Sequence, residues 1–327
     1  MADYLVTGAA GFIAYRVVET LLKEGHSVTG VDNMNDAYDV RMKEYRLKRL
    51  QAMPGFTFHR LDVSDRSILD PATFGLSTFK FDAVINLAAR AGVRLSTENP
   101  WVYIETNIMG TLNLLEICRR YVVPKFILAS TSSIYGANPP LPTPEEAASD
   151  RPLQPYAASK KGAEALCHSY HHLFGVDISI LRYFTVYGPA GRPDLAMFRF
   201  TQWISEGRPV HVNGDGEQSR GFTYLDDIAR GTILGLKPLG FEIINLGGHE
   251  VITVNNLIKL LEQVIGKKAQ IEHHPFHPAD MQTNWADVSK ARRLLGWEPQ
   301  TSLNQGVQSL VDWYNSERDW ASQVLTP

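Results

Sequence analysis

Apolar residues in the first half of the chain fall into short continuous runs, separated by stretches in which apolar positions recur every three to four residues. The runs at 4–7, 26–32, 57–61, 83–87, 125–129 and 177–183 read as strands. The periodic stretches at 12–24 and 103–121 read as helices, and a long helix should open near Tyr156. Continuous apolar strands alternating with amphipathic helices specify an α/β fold, a doubly wound parallel sheet covered on both faces. From Thr185 onward the alternation loosens around GPAGRPD, VNGDGEQSRG and HHPFHPAD. The expected division is a sheet domain over 1–184, with a return near 222–245, and a smaller lobe mainly over 185–327. In an open sheet of this kind, ligands meet the carboxyl ends of the strands.

Composition narrows the partners. The 327 residues suit one large or two modest units, 44% hydrophobic and 20% charged. A net charge of −3 gives no broad basic surface, so neither nucleic acid nor an anionic membrane is expected as a partner. Any anion must be held by a few placed groups. No stretch approaches about 18 uncharged apolar residues, so no membrane span is expected. The first strand begins within a few residues of Met1, without a basic-then-apolar leader. Cys118 and Cys167 have neither disulfide-framework nor metal-ligand spacing. A cytoplasmic location is therefore expected. His273, His274 and His277 lie in a proline-rich loop without firm ligand spacing, and no metal is expected.

The turn Gly8-Ala9-Ala10-Gly11-Phe12-Ile13 joins the first strand to the first helix. Glycine lets the backbone close tightly and approach a pyrophosphate, and the helix amino end offers free N–H groups to it. The second strand ends in Asp32, beside Asn33. An acidic residue there accepts hydrogen bonds from a ribose and repels a 2′-phosphate, which favours NAD over NADP. Asp62 and Val63 follow the third strand and are candidates for the adenine edge. The expected domain is of the Rossmann type.

The chemistry points to Pro155-Tyr156-Ala157-Ala158-Ser159-Lys160. Tyrosine and lysine four apart share one helix face. An ammonium there, with an oxidised nicotinamide, favours the phenolate, which can take the proton of a substrate hydroxyl. Upstream, the strand FILAS runs into Ser130-Thr131-Ser132-Ser133-Ile134-Tyr135-Gly136. Hydroxyls at the end of a central strand can hold the reacting oxygen.

Together these motifs resemble the extended short-chain dehydrogenase/reductases, the NAD-dependent nucleotide-sugar epimerases and dehydratases. The similarity runs through NLAARAGVR, NIMGTLNLLE, LRYFTVYGP, RGFTYLDDIARG and TNWADVSKARRLLGWEP. It implies Tyr156 as base, Lys160 as its tuner and a nicotinamide-ribose contact, and Thr131 as the hydrogen-bond partner of the reacting hydroxyl. It implies that Leu87, Ala88 and Ala89 line the cofactor, with Asn107 near the cofactor loop and Tyr183 near the nicotinamide. Arg220 is implied to hold the substrate diphosphate and Asp280 the uridine ribose. It also implies a homodimer through the helices at 103–121 and 156–174. Asn86, Gly221 and Ala14 depart from the commoner His, Asp and Gly.

A 4,6-dehydratase is similar but carries Asp-Glu where Ser132 and Ser133 stand, and UDP-glucuronate decarboxylases carry Glu at Ser133. These differences leave 4-epimerisation through a 4-keto sugar. The stretch from Arg182 to Asp194 resembles UDP-glucuronate 4-epimerases, implying a UDP-sugar acid as substrate and UDP-galacturonate as product. Arg192, with Thr131, Ser132, Ser133 and Thr185, is the expected clamp for the C6 carboxylate, because the guanidinium fork matches a carboxylate. The alternatives are another UDP-hexose 4-epimerase, the decarboxylase, and a non-catalytic NAD-sensing scaffold.

Overall fold

The computed structural model describes residues 1–276 and 281–326. Seven parallel strands form the main sheet: β1 (Asp3–Thr7), β2 (Ser27–Val31), β3 (Phe56–His59), β4 (Ala83–Asn86), β5 (Lys125–Thr131), β6 (Asp177–Tyr183) and β11 (Phe241–Leu246). Their order is β11-β6-β5-β4-β1-β2-β3, with every neighbouring pair parallel. The chain winds one way from β1 to β3 and the other way from β4 onward. The switch point therefore lies between β1 and β4, where a crevice forms at the strand ends.

Strand alternation sorts the core into two layers. Val6, Ile85, Ile127 and Leu181 face the helices Phe12–Lys23 and Leu225–Leu234. Leu5, Val84, Phe126 and Leu128 face the helices Gly110–Tyr121 and Pro155–Phe174. Both faces of each central strand are buried, which is why the strands read as continuous apolar runs.

The remaining strands are short. β7 (Val186–Tyr187) pairs with β10 (Thr223–Tyr224), and β8 (Pro209–Asn213) with β13 (Gln270–His274). β9 (Ser219–Gly221) pairs with both β12 (Val251–Thr253) and β14 (Thr283–Asn284). They surround a separate core of Met197, Trp203, Val210, Val212, Leu257, Leu261 and Val307.

Two elements differ from the sequence expectation. The helix expected over 103–121 has a π-helical segment, Ile104–Met109, before its regular part. A further helix, Arg41–Gln51, carries Met42, Lys43, Arg46 and Leu50 on its buried side. Two of those four are cations, so the face did not read as apolar.

Candidate active site

The turn after β1 is built for close approach. Gly8 has φ +69°, and a Cβ there would lie 2.8 Å from the Ala88 backbone. A Cβ on Gly11 would lie 2.7 Å from the Gly8 carbonyl oxygen. Glycine alone fits both positions. The turn thus packs on Leu87 and Ala88, with Ala89 exposed beyond them, and opens into the helix starting at Phe12 and Ile13.

Asp32 is held beside this turn. Its carboxylate accepts from the Ala10 N–H (3.2 Å), the Met34 N–H (2.8 Å) and the Lys43 ammonium (3.3 Å). Asn33 donates to Asp62 at 2.7 Å, and Ser64 gives Asp62 two more hydrogen bonds. Burial pushes the Asp62 pKa up, but these bonds outweigh it and hold the carboxyl below its usual range. Val63 packs on Gly110, leaving no room for a Cβ there, and its carbonyl accepts from Asn113.

Asn107 sits in the π-helical segment, a rare feature that occurs frequently at functional sites. Its amide bonds both backbone groups of Arg90 and donates to the Ser159 hydroxyl at 2.8 Å. It therefore fixes the loop after β4 to the helix that carries Tyr156 and Lys160. Asn86 ties the sheet to the helix behind it, accepting from Thr7 on β1 and donating to Thr111 on the helix Gly110–Tyr121. At Gly221, a Cβ would lie 2.9 Å from the Trp285 Cβ and 3.0 Å from the Gly248 carbonyl oxygen, so an Asp there would collide.

Tyr156 and Lys160 lie one turn apart on the helix Pro155–Phe174, and Thr131 ends the neighbouring β5. The Thr131 side chain lies near the Tyr156 phenol, and the ring of Tyr103 packs edge-on against Tyr156 at 6.2 Å. Burial raises the phenol pKa, opposed by Thr131 and by the nearby Arg192 cation. Lys160 is buried and has no hydrogen bond or ion pair to any described residue. Desolvation lowers its pKa to about 8, against the pull of Glu164 one turn further on. With burial as the largest influence, the phenol of the protein without cofactor is held above its ordinary pKa. Glu164 forms a bidentate pair with Arg182 and accepts from Ser130 at 2.6 Å.

Arg192 is partly buried, and its fork is already used: Nε and Nη2 donate to Asp194 at 3.0 and 2.5 Å. The Nη1 edge has no partner among the described residues. Ser133 bonds Thr131 through both its N–H and its hydroxyl, and Ser132 accepts from Asn284 at 2.8 Å. Thr131 registers opposite Tyr183, so Thr185 lies just beyond on the adjoining strand path. The Tyr183 hydroxyl turns instead to Thr232, at 2.8 Å. Arg220 donates to the carbonyl oxygens of Ser219, Met281 and Gln282. Asp280 and His277 lie outside the described residues.

Sequence reasoning missed Arg46. It is fully buried and donates to the carbonyl oxygens of Ala10, Ala190 and Gly191 and to Tyr38. It joins the glycine turn to the turn that bears Arg192. The signal was the four-residue spacing Met42, Arg46, Leu50, hidden by its charge.

A family model described as GDP-mannose 4,6 dehydratase matches residues 5–310. The chain belongs to this family. Among curated relatives, the UDP-glucuronate 4-epimerase of Thermodesulfobacterium geofontis is 56% identical over 96% of each chain. Among solved family structures, the UDP-glucuronic acid 4-epimerase of Bacillus cereus, in complex with UDP-glucuronic acid and NAD, has a TM-score of 0.88. It is 38% identical and covers 96% of this chain and 99% of its own. The UDP-glucose 4-epimerase of Thermotoga maritima, solved with UDP-glucose, has a TM-score of 0.88 at 32% identity, covering 97% and 99%. This family member has Ser132 and Ser133 after the strand-end Thr131, so the carboxyl pair expected of a 4,6-dehydratase is absent at those two positions.

Proposed function

We infer that the chain is an NAD-dependent isomerase that converts UDP-glucuronate to UDP-galacturonate by 4-epimerisation through a 4-keto intermediate. The observation that carries this reading is Arg192, a partly buried cation near enough to Tyr156 for its charge to oppose the burial that raises the phenol pKa. In a uronate, the C6 carboxylate hangs from C5, next to the C4 that meets Tyr156. The relatives from Thermodesulfobacterium geofontis and Bacillus cereus support the same substrate.

NAD fits the residues present: Gly8 and Gly11 leave backbone room, Asp32 is fixed for a ribose, and Lys160 keeps an unpaired ammonium. Gly8, Gly11, Phe12, Ile13, Asp32, Asn33, Asp62, Val63, Leu87, Ala88, Ala89, Asn107 and Tyr183 would hold it, with Tyr156 and Lys160 at the nicotinamide end. When bound, NAD accepts a hydride and later returns it to the other face of the sugar. Tyr156 takes the O4 proton and gives it back, and Thr131 holds O4. The Nη1 side of Arg192, with the hydroxyls of Ser132, Ser133 and Thr185, grips the carboxylate. A 4-keto uronate is a β-keto acid, and a fixed carboxylate keeps its C5–C6 bond out of line with the ketone. Arg220 and Asp280 are assigned to the diphosphate and uridine ribose.

We place the sheet domain over 1–184 with its return at 222–245, and the sugar lobe over the rest of 185–327. No helix among the described residues is long and apolar enough to cross a membrane. The two buried thiols, Cys118 and Cys167, fit a reducing cytoplasm. The protein is assigned as a homodimer.

The test is incubation with UDP-glucuronate, first without and then with added NAD, followed by product identification. UDP-galacturonate is expected. A UDP-pentose would make the chain a decarboxylase, and no conversion with NAD supplied would make it a sensor or scaffold. Arg192→Met should lower kcat/KM for UDP-glucuronate by about 10- to 100-fold, the worth of a charge-assisted hydrogen bond. UDP-glucose turnover should change far less. Equal losses on both sugars would remove Arg192 from the carboxylate.

A further inference from the structure

The sequence offers HHPFHP as a histidine cluster, and its two described histidines turn to different partners. His273 turns its Nδ1 to the Gly214 carbonyl oxygen at 2.8 Å. His274 instead meets His211, which lies 63 positions earlier, with its Nε2 2.9 Å from the His211 Nδ1. The same Nδ1 lies 3.4 Å from Oε2 of Glu272. One ligand atom from each of the three side chains thus falls within 4.8 Å of the other two.

We propose that His211, Glu272 and His274 bind one divalent transition-metal ion, zinc foremost, on the outer face of the β8–β13 ribbon. Strand register makes the convergence a backbone property: Glu272 pairs directly with His211, and His274 lies two residues on along the same face. Val210 and Val212 are buried on either side of His211, which fixes that strand's outward face. The buried Trp203 packs against the His211 ring edge-on at 5.3 Å.

Zinc bonds to nitrogen and oxygen of about 2.0–2.2 Å, set at tetrahedral angles, separate neighbouring ligand atoms by about 3.3 Å. The His211–Glu272 spacing matches that value, and the two rings need to part by only a few tenths of an ångström. Their present contact requires one ring nitrogen to donate its proton to the other. A metal ion takes the place of that shared proton, with His211 protonated on Nε2 and His274 on Nδ1, so no net proton is lost. Two imidazoles and one carboxylate select zinc, nickel, cobalt or copper over magnesium or calcium, which prefer oxygen donors. Water completes the fourth position. The ion would staple β13 to β8, a two-stranded ribbon of a kind that is marginal alone.

The experiment uses the full chain without a histidine tag, stripped by chelator and titrated calorimetrically with zinc chloride. Cobalt(II) absorption then reports the geometry. One ion per chain in the micromolar range and a tetrahedral cobalt spectrum are expected. His211→Ala and His274→Ala should each weaken binding by about tenfold or more, and Glu272→Gln by less. All three are exposed and apart from the catalytic residues, so retained epimerase turnover verifies that the variants fold. His273→Ala and His277→Ala should bind zinc as the parent does. Binding only in the millimolar range, binding that survives the His211–His274 double variant, or binding lost with His277→Ala would overturn the assignment.

Discussion

Lys160 is 3% exposed and its ammonium lacks a hydrogen-bonding partner among the described residues, so the folded protein disfavours its charged form. Its pKa falls from 10.5 to about 8, which is a stability statement. Below pH 8 the ammonium is charged in both states, and folding bears the full desolvation cost. Between pH 8 and 10.5 the folded state sheds the proton first, so stability rises with pH and the cost is gone above that range. Lys160→Met should therefore abolish most turnover yet raise stability by about 1–3 kcal/mol at pH 7. Denaturant melts at pH 7 and pH 10 should show the gain shrinking as pH rises. A constant gain, or none, would mean that Lys160 is solvated in the protein. Arg46 behaves oppositely, because neutral oxygens satisfy its buried cation. Arg46→Met leaves the Ala190 and Gly191 carbonyl oxygens without their donor and frees the turn that holds Arg192. A loss of about 2–4 kcal/mol is expected, together with a kcat/KM loss larger for UDP-glucuronate than for UDP-glucose.

At the scale of elements, the catalytic helix Pro155–Phe174 is secured at successive turns. Ser159 is tied through Asn107 to the loop after β4, and Glu164 to Ser130 on β5 and Arg182 on β6. The β5–β6 register places Ser130 opposite Arg182 and Thr131 opposite Tyr183, so one carboxylate sets the helix against both strand ends. Removing one partner of such a buried pair leaves the other charge uncompensated. Glu164→Gln should cost about 3–5 kcal/mol in urea melts, and adding Arg182→Met should return part of it. An additive double variant would count against the coupling. These ties also explain what the sequence concealed. The parallel sheet, the glycine turn and the Tyr156–Lys160 face were legible because each rests on local periodicity or spacing. The π-helical segment was not, since one inserted residue leaves the apolar pattern of 103–121 nearly intact. Nor was the use of Arg192 on Asp194, because the sequence shows which groups are near along the chain and not which are already paired. Arg46 and Glu164 carry charges that local spacing does not mark as buried, and only long-range packing buries them.

For the whole molecule, the two helical segments beside the site carry apolar surface that one chain does not cover. Trp101 is 75% exposed, Leu173 66%, Phe174 48% and Ile104 40%. Such residues belong to the helices that pack side by side on one face of the sheet. A second copy related by a two-fold axis would cover both with the same surface. The consequence reaches the chemistry, because the segment after Trp101 holds Tyr103 against Tyr156 and Asn107 against Ser159. Sedimentation should give about twice the chain mass of 36.6 kDa, and Trp101→Lys should shift it toward one chain by placing two like charges near the axis. If the pairing steadies the π-helical segment, the variant loses kcat more than it raises KM, and its melting temperature falls. A parent protein that sediments as one chain at micromolar concentration would end the assignment. A monomeric variant with unchanged kcat would separate the dimer from catalysis and leave the π-helical segment to stand on its own hydrogen bonds.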